Sequence, residues 1–334
     1  MKRILLVAAA LFVVALLGVA AWAVNGMAPP DAQFAAPVVV DIPRGASSRD
    51  MAALLEEPGV IRSATHFMLA RAWRSKDVLQ AGEYEFTRPV SVWDAFDKLA
   101  SGAVLLHTVT VPEGLTRFEI AKLVQEAGFG SADAFLTLTA DPGPIRDLFP
   151  AAQSLEGCLY PETYSFPRNT EPKTVLDAML RGFRNAFEQA KQGSDSKLAP
   201  YEALTMASLI EKETGVDDER PLVSSVYYNR IRIGMLLQCD PTIIYGLLLE
   251  DRYRGKIYES DIRDPHDYNT YVHAGLPPGP IANPGLASLK AAFHPADTNY
   301  LYFVAESAGK PGHIFSKNLQ AHNQAVAQYR RTLR

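Results

Sequence analysis

The chain has 334 residues, with 37 acidic and 33 basic side chains and a formal net charge of −4. Hydrophobic residues at 48% and charged residues at 21% are ordinary for a folded protein, which excludes a disordered or collagen-like chain. The near-neutral balance argues against a nucleic-acid partner, and the length suits about two domains.

Met1-Lys2-Arg3 precedes an uninterrupted apolar run over 4–24. As a helix this run is roughly 31 Å long, enough to cross a bilayer core of about 30 Å. Lys2 and Arg3 stand before it, and the next basic residue is Arg44. The positive-inside bias therefore keeps the N-terminus in the cytoplasm and sends the rest of the chain outward. A cleaved signal peptide is the alternative, since Ala21-Trp22-Ala23 has the small-x-small form of a cleavage site. Signal-peptide cores run to about 7–15 residues, so the length favours an uncleaved anchor over 1–30. Residues 31–37 read as a linker. The two cysteines, Cys158 and Cys239, either pair in an oxidising compartment or stay as separate buried thiols.

A repeat follows over 38–166. Val39-Val40-Asp41-Ile42-Pro43-Arg44-Gly45 reads as a strand and turn leading into a helical pattern with Met51, Ala52, Leu54 and Leu55 apolar. The series returns 69 residues later, Pro43 matching Pro112, as Val109-Thr110-Val111-Pro112-Glu113-Gly114 followed by Ile120, Ala121, Leu123 and Val124. Each copy continues into a second helical stretch, over 64–73 and 132–139. The first closes on a strand at Gly82-Glu83-Tyr84-Glu85-Phe86. The second closes on Gly157-Cys158-Leu159-Tyr160, with Tyr164 and Phe166 beyond. This strand–helix–helix–strand pattern resembles the LysM carbohydrate-binding module; a purely mechanical spacer is the alternative.

A charged, mixed stretch over 189–199 leads into a mainly helical region. Helices are expected over 201–214, stopped by Gly215, and over 218–233 with Pro221 in the first turn. Asp240-Pro241 reads as an N-cap and first-turn proline for a helix through Leu248, and Asn283-Pro284 repeats that signal for one through Phe293. Residues 300–305 and 313–316 read as a strand pair. A last helix spans 319–333, with Arg330, Arg331 and Arg334 near its C-terminal end, where the helix dipole favours cations.

The candidate acid is Glu211. Leu204, Ala207, Ser208 and Glu211 share one helical face, so the carboxylate ends an inward stripe while Glu213 points roughly the other way. Desolvation there favours the neutral carboxyl, the state a general acid for glycosidic cleavage needs. The alternative is that Glu211 pairs with Lys212 or with an arginine such as Arg220 and only supports the fold. Aromatic and amide side chains gather downstream: Tyr227 and Asn229, then Gln238, Asp240, Thr242 and Tyr245, then Tyr268, Asn269 and Tyr271, then a stiff Gly/Pro-rich loop over 275–285 containing Asn283. Tyrosine faces and amides suit the ring faces and hydroxyl edges of a sugar chain. No metal-ligand spacing, Gly-x-Ser-x-Gly or phosphate loop is present, so no metal and no cofactor is expected. A hydrolytic glycosidase would use a second carboxylate, and Glu156, Glu162, Glu213, Glu219 and Asp240 are all open for that role.

The block Leu155-Glu156-Gly157-Cys158-Leu159-Tyr160-Pro161-Glu162-Thr163-Tyr164, together with 207–214, 219–232, 237–246, 268–271, 275–285, 288–295, 300–305 and His322-Asn323, closely resembles the endolytic murein transglycosylase family, the YceG-like proteins. The resemblance covers nearly the whole chain. It implies an α+β protein with an N-terminal transmembrane helix, a LysM-like βααβ region and, over 167–334, a mainly helical catalytic domain with a small β element. It implies a single-pass inner-membrane protein facing the periplasm. Its partners would be peptidoglycan glycan strands, the membrane and the peptidoglycan synthases. The implied reaction cleaves the β-1,4 bond between N-acetylmuramic acid and N-acetylglucosamine within nascent strands, which limits their elongation. Glu211 first protonates the glycosidic oxygen and then accepts the proton of the muramyl C6 hydroxyl, giving a 1,6-anhydro end. Glu156, Tyr160, Ser208, Asp240, Thr242 and the aromatic and amide residues above would bind substrate. Cys158 departs from the family, which usually carries an aromatic there. A wall-binding scaffold without activity and a water-using muramidase are the competing readings.

Overall fold

The computed structural model describes residues 2–333; Met1 and Arg334 lie outside the described residues. The chain mixes helix and sheet and divides into two compact units. The first comprises 1–107 and 165–168, and the second 108–164 and 169–334.

In the first unit, α1 (Lys2–Met27) carries a stretch, Leu6–Met27, long and apolar enough to cross a membrane. β1 (Val38–Ile42), α2 (Ser48–Glu56), α3 (Ala64–Trp73) and β2 (Gly82–Phe86) follow, and α4 (Val92–Ser101) completes the unit. β1 and β2 pair antiparallel from Val38↔Phe86 to Ile42↔Gly82. Strand alternation sends Val40 and Ile42 inward onto Phe67, Tyr84 and Phe96. Two helix starts are held by reciprocal caps: Ser47 with Asp50 on α2, and Ser91 with Asp94 on α4. The expected linker at 31–37 is fastened down. Asp31 pairs with Arg62 at 2.8 Å, Arg62 also donates to the Pro29 carbonyl at 2.8 Å, and Phe34 packs on the core.

The second copy repeats the topology with β3 (Leu106–Thr110), α5 (Arg117–Glu126), α6 (Ala132–Ala140) and β4 (Thr163–Pro167), β3 pairing with β4. The unit boundary passes through both of these strands, so most of this copy groups with the helices that follow it. The closing strand lies at 163–167, later than the sequence suggests. Gly157 turns the chain at φ +83°, and Pro161 lacks the N–H that a ladder requires.

Further along come α7 (Pro172–Lys191), α8 (Pro200–Glu213), α9 (Arg220–Arg232), α10 (Asp240–Leu249), α11 (Glu259–Ile262), α12 (Leu286–Phe293), β5 (Tyr302–Ala305), β6 (His313–Ser316) and α13 (Leu319–Thr332). α12 packs against α7, α8 and α9, and α13 covers the antiparallel β5–β6 hairpin. Edge-to-face rings fill the α7 side, with Phe149–Phe187 at 5.2 Å and Phe187–Phe293 at 5.3 Å between centroids. α8 is buried on every face from Ala203 to Ile210, so it is a central helix and not the one-sided stripe expected. Two cap assignments also move. Cys239 is the N-cap of α10, and Gly285 that of α12, because the Asn283 side chain is used elsewhere. Both cysteines are free and buried.

Candidate active site

Two glutamates end α8, and a helix separates positions i and i+2 by about 200°. They meet different surroundings. Glu211, with its side chain 6% exposed, holds Arg220 at 3.5 Å through Oε1 and accepts the Gly285 N–H at 3.0 Å through Oε2. Arg220 also donates to Ser288 at 3.0 Å, pairs with Asp217, and lies 3.8 Å from Glu113. Glu113 sits in the Pro112-Glu113-Gly114 turn of the second repeat copy. Burial pushes its carboxyl above the ordinary glutamate value, and the Glu211 charge adds to that while Arg220 opposes it. The pairing of Glu211 with Arg220, left open by the sequence, is therefore present. Both Glu211 carboxylate oxygens are thus engaged within the protein.

Glu213 faces a cavity of about 480 Å³ between α9, the 237–240 turn, Tyr271, the β5–β6 hairpin and α13. Its Oε1 accepts the Tyr227 hydroxyl at 2.8 Å. Burial pushes the Glu213 carboxyl above the ordinary value. Bonds from Cys239 and Tyr227 work against this, Asp240 adds to it, and His313 opposes it. Asp240, on the same cavity, accepts the Tyr271 hydroxyl at 2.6 Å. Gln238 lines the wall in the left-handed region at φ 50°, held by its N–H bond to the Thr270 carbonyl at 3.1 Å. A non-glycine residue pinned there costs on the order of 1 kcal/mol, and such strain gathers at functional sites. Opposite, Arg230 is tied to the Leu301 and Leu237 carbonyls at 2.7 Å each, and its guanidinium lies over Tyr302. His322 stacks on Tyr302 with centroids 5.0 Å apart, and burial lowers its pKa. The cavity thus combines one carboxyl shifted toward its neutral form, a second carboxylate, and aromatic faces. That set can protonate a leaving oxygen and stand next to positive charge developing on a sugar ring.

Of the residues expected to bind substrate, Tyr227, Gln238, Asp240 and Tyr271 line this cavity. The others are used to hold loops in place. Ser208 donates to the Thr205 carbonyl and accepts the Ile281 N–H at 3.0 Å. Asn229 donates to the Thr298 and Tyr300 carbonyls, and Asn269 to those of residues 261, 262 and 264. Thr242 is buried against Thr270 at 2.9 Å. Asn283 donates to Glu156 at 2.7 Å and accepts the Leu159 N–H at 2.8 Å. Glu156 also accepts the Arg117 N–H at 3.0 Å, and burial pushes its carboxyl up to about 7. Tyr245 is buried beside Glu156, its ring tilted at 52° to that of Tyr268 with centroids 5.0 Å apart. Tyr160 lies against Gly182, and its carbonyl accepts the Tyr164 hydroxyl. Arg230, Tyr302, Phe303, His322 and Glu113 are not among the site residues expected from sequence. The Pro-Glu-Gly turn and the dense aromatics of the hairpin are the signals that mark them.

Comparison with known proteins places these residues in a wider context. A family model described as the YceG-like family matches residues 40–328. The Bacillus subtilis protein named endolytic murein transglycosylase is 33% identical over 309 residues, covering 87% of this chain and 84% of its own length. A Streptococcus pneumoniae protein of the same name is 28% identical over 339 residues, and the match spans 61% of that longer protein. The crystal structure of a YceG-like protein from Listeria monocytogenes superimposes with a TM-score of 0.55 at 30% identity, covering 88% of this chain and 99% of that one.

Proposed function

The chain belongs to the YceG-like family, and on that premise we propose that it is an endolytic murein transglycosylase whose general acid is Glu213. The observation that carries the residue assignment is the contrast at the end of α8. Glu213 opens onto the cavity with its carboxyl shifted upward by burial, while Glu211 is occupied by Arg220 and the Gly285 N–H.

In this reading the glycan strand lies in the cavity with a muramyl C1–O bond at Glu213. Glu213 gives its proton to the glycosidic oxygen as the C1–O bond breaks. The Asp240 carboxylate faces the positive charge that develops at C1, held in orientation by Tyr271. Glu213, now ionised, accepts the proton of the C6 hydroxyl as that oxygen bonds to C1, so a 1,6-anhydro end forms and no water is consumed. One carboxyl serves twice because the nucleophile belongs to the substrate. Tyr227 donates to the carboxylate formed between the two steps. α1 would anchor the protein in the inner membrane with the remainder in the periplasm, and the βααβ region would grip glycan as LysM-like modules.

Product analysis on purified murein tests this. Glu213→Gln should lower release of anhydro-ended fragments by about 10²–10⁴-fold. Glu211→Gln should keep the product type while loosening the fold around Arg220. Undiminished release by Glu213→Gln would defeat the assignment. Reducing muramyl ends from the wild type would indicate a water-using muramidase, and no fragments at all a scaffold.

A further inference from the structure

The end of α1 is not free of the first unit. The Trp22 ring lies 4.2 Å from that of His66 between centroids, at 50°. Gly26 presses its backbone against the same imidazole so closely that a Cβ there would lie 2.0 Å from a ring atom. Met27, the last residue of the helix, packs on the core. His66 itself is buried at the start of α3, with its Nδ1 on Ser63 at 2.9 Å. The uninterrupted apolar run ends at Val24 and the membrane-length stretch at Met27, so Trp22 and Gly26, which touch His66, both lie at the end of the apolar segment. If α1 crosses a membrane, the first turn of α3 is therefore at the boundary of the hydrocarbon.

α3 has apolar residues on two sides. His66, Phe67 and Ala70 are buried toward the core. Leu69 and Trp73, four positions apart and so on one face, point outward with exposures of 45% and 85%; Val78 beyond the helix is 76% exposed. Trp73 is about 10 Å along the helix from His66. An isolated exposed leucine needs no explanation, but a tryptophan this bare beside a leucine on a helix pinned at a membrane boundary does. Tryptophan is enriched at the headgroup level because its ring is apolar and its N–H is polar, and Lys76, exposed three residues on, adds a cation that suits phosphate groups.

We propose that the outward face of α3, Leu69 and Trp73 with Val78, lies in the headgroup region of the bilayer that α1 crosses. The first unit is then docked on the lipid surface and not held off it by a flexible tether. This rests on the reading of α1 as a membrane span, and the test separates the two.

The full chain is reconstituted in lipid nanodiscs as two single-tryptophan variants. W22F/W93F leaves Trp73, and W73F/W93F leaves Trp22; phenylalanine at position 22 keeps a ring against His66. Lipids brominated near the carbonyl end of the acyl chains should quench Trp73 to less than half its emission, and lipids brominated near the chain ends should quench it several-fold less. An aqueous quencher should reach it poorly. Trp73 emission indifferent to brominated lipid and fully open to the aqueous quencher overturns the docking. Trp22 reports the span on its own: if brominated lipid leaves Trp22 unquenched, the anchor reading falls, whereas quenched Trp22 with unquenched Trp73 removes only the docking.

Discussion

The hydroxyl of Tyr227 on α9 lies 2.8 Å from Oε1 of Glu213 at the end of α8. The tyrosine is fully buried, and burial holds its own pKa well above the usual range, so it acts as a donor and not as an acid. Its bond stabilises the ionised glutamate and so holds down a carboxyl that burial pushes up. A general acid must be protonated, so activity falls as pH rises through the Glu213 pKa. Removing the donor in Tyr227→Phe raises that pKa and moves the fall to higher pH, by roughly one unit for a bond to a charged group. A pH profile of kcat/KM on glycan strands measures it, and superimposable profiles would show that Tyr227 does not tune the acid.

Asp240 and Tyr271 offer a second test. A carboxylate that faces charge present only in the transition state affects kcat more than binding. Asp240→Asn should lower kcat by about 10²-fold with KM changed by less than about threefold. Tyr271→Phe, which only releases the carboxylate, should give a smaller loss in the same parameter. A rise in KM at constant kcat would instead make Asp240 a binding residue.

Glu156 makes stability depend on pH. Its carboxyl is buried and pushed from the ordinary 4.5 up to about 7. The folded state therefore binds a proton that the unfolded chain releases across that interval. The stabilisation is complete below about pH 4.5 and is lost as pH rises through about 7, a change of about 3 kcal/mol for this group. Denaturant unfolding of wild type and Glu156→Gln at pH 5 and pH 8 should show the steeper loss in the wild type. Equal losses in the two proteins would mean that Glu156 is not the group responsible.

The turn at Gly157 is a backbone constraint. Its φ is +83°, and a Cβ would lie 2.6 Å from Pro280 and 3.3 Å from Leu204. Gly157→Ala therefore combines a disfavoured φ with a clash against a ring that cannot swing away, and should cost about 2–3 kcal/mol. At Gly215 a Cβ meets nothing within 4 Å, so Gly215→Ala should stay within about 0.5 kcal/mol. Paired denaturation curves compare them; equal midpoints would contradict the strain argument.

Much of this architecture is legible in local sequence. The βααβ order of both copies appears in the 69-residue offset, and β2 and α3 fall at the residues expected. α4 and α7 are absent from that reading, though both carry apolar faces at helical spacing. The site is less legible there. Four cavity residues, Tyr227, Gln238, Asp240 and Tyr271, come from a stretch that composition marks as unusual, yet buried Asn229, Asn269 and Asn283 come from the same stretch and donate to backbone carbonyls. An amide that binds sugar and one that binds a carbonyl look alike in one dimension.

By itself, the sequence determined most of the elements, the apolar N-terminal helix, the repeat and the family resemblance. Each of these is written in residues close together along the chain, where helix and strand periods and caps act. The tertiary structure decided which carboxylate of Glu211-Lys212-Glu213 meets the cavity and which meets Arg220. α8 is buried on all sides, so periodicity along it carries no inside or outside; the choice belongs to what α9, the 283–285 turn and the β5–β6 hairpin bring against each face. A proton's resting place depends on the solvation and charges around it, and those neighbours are assembled from distant parts of the chain.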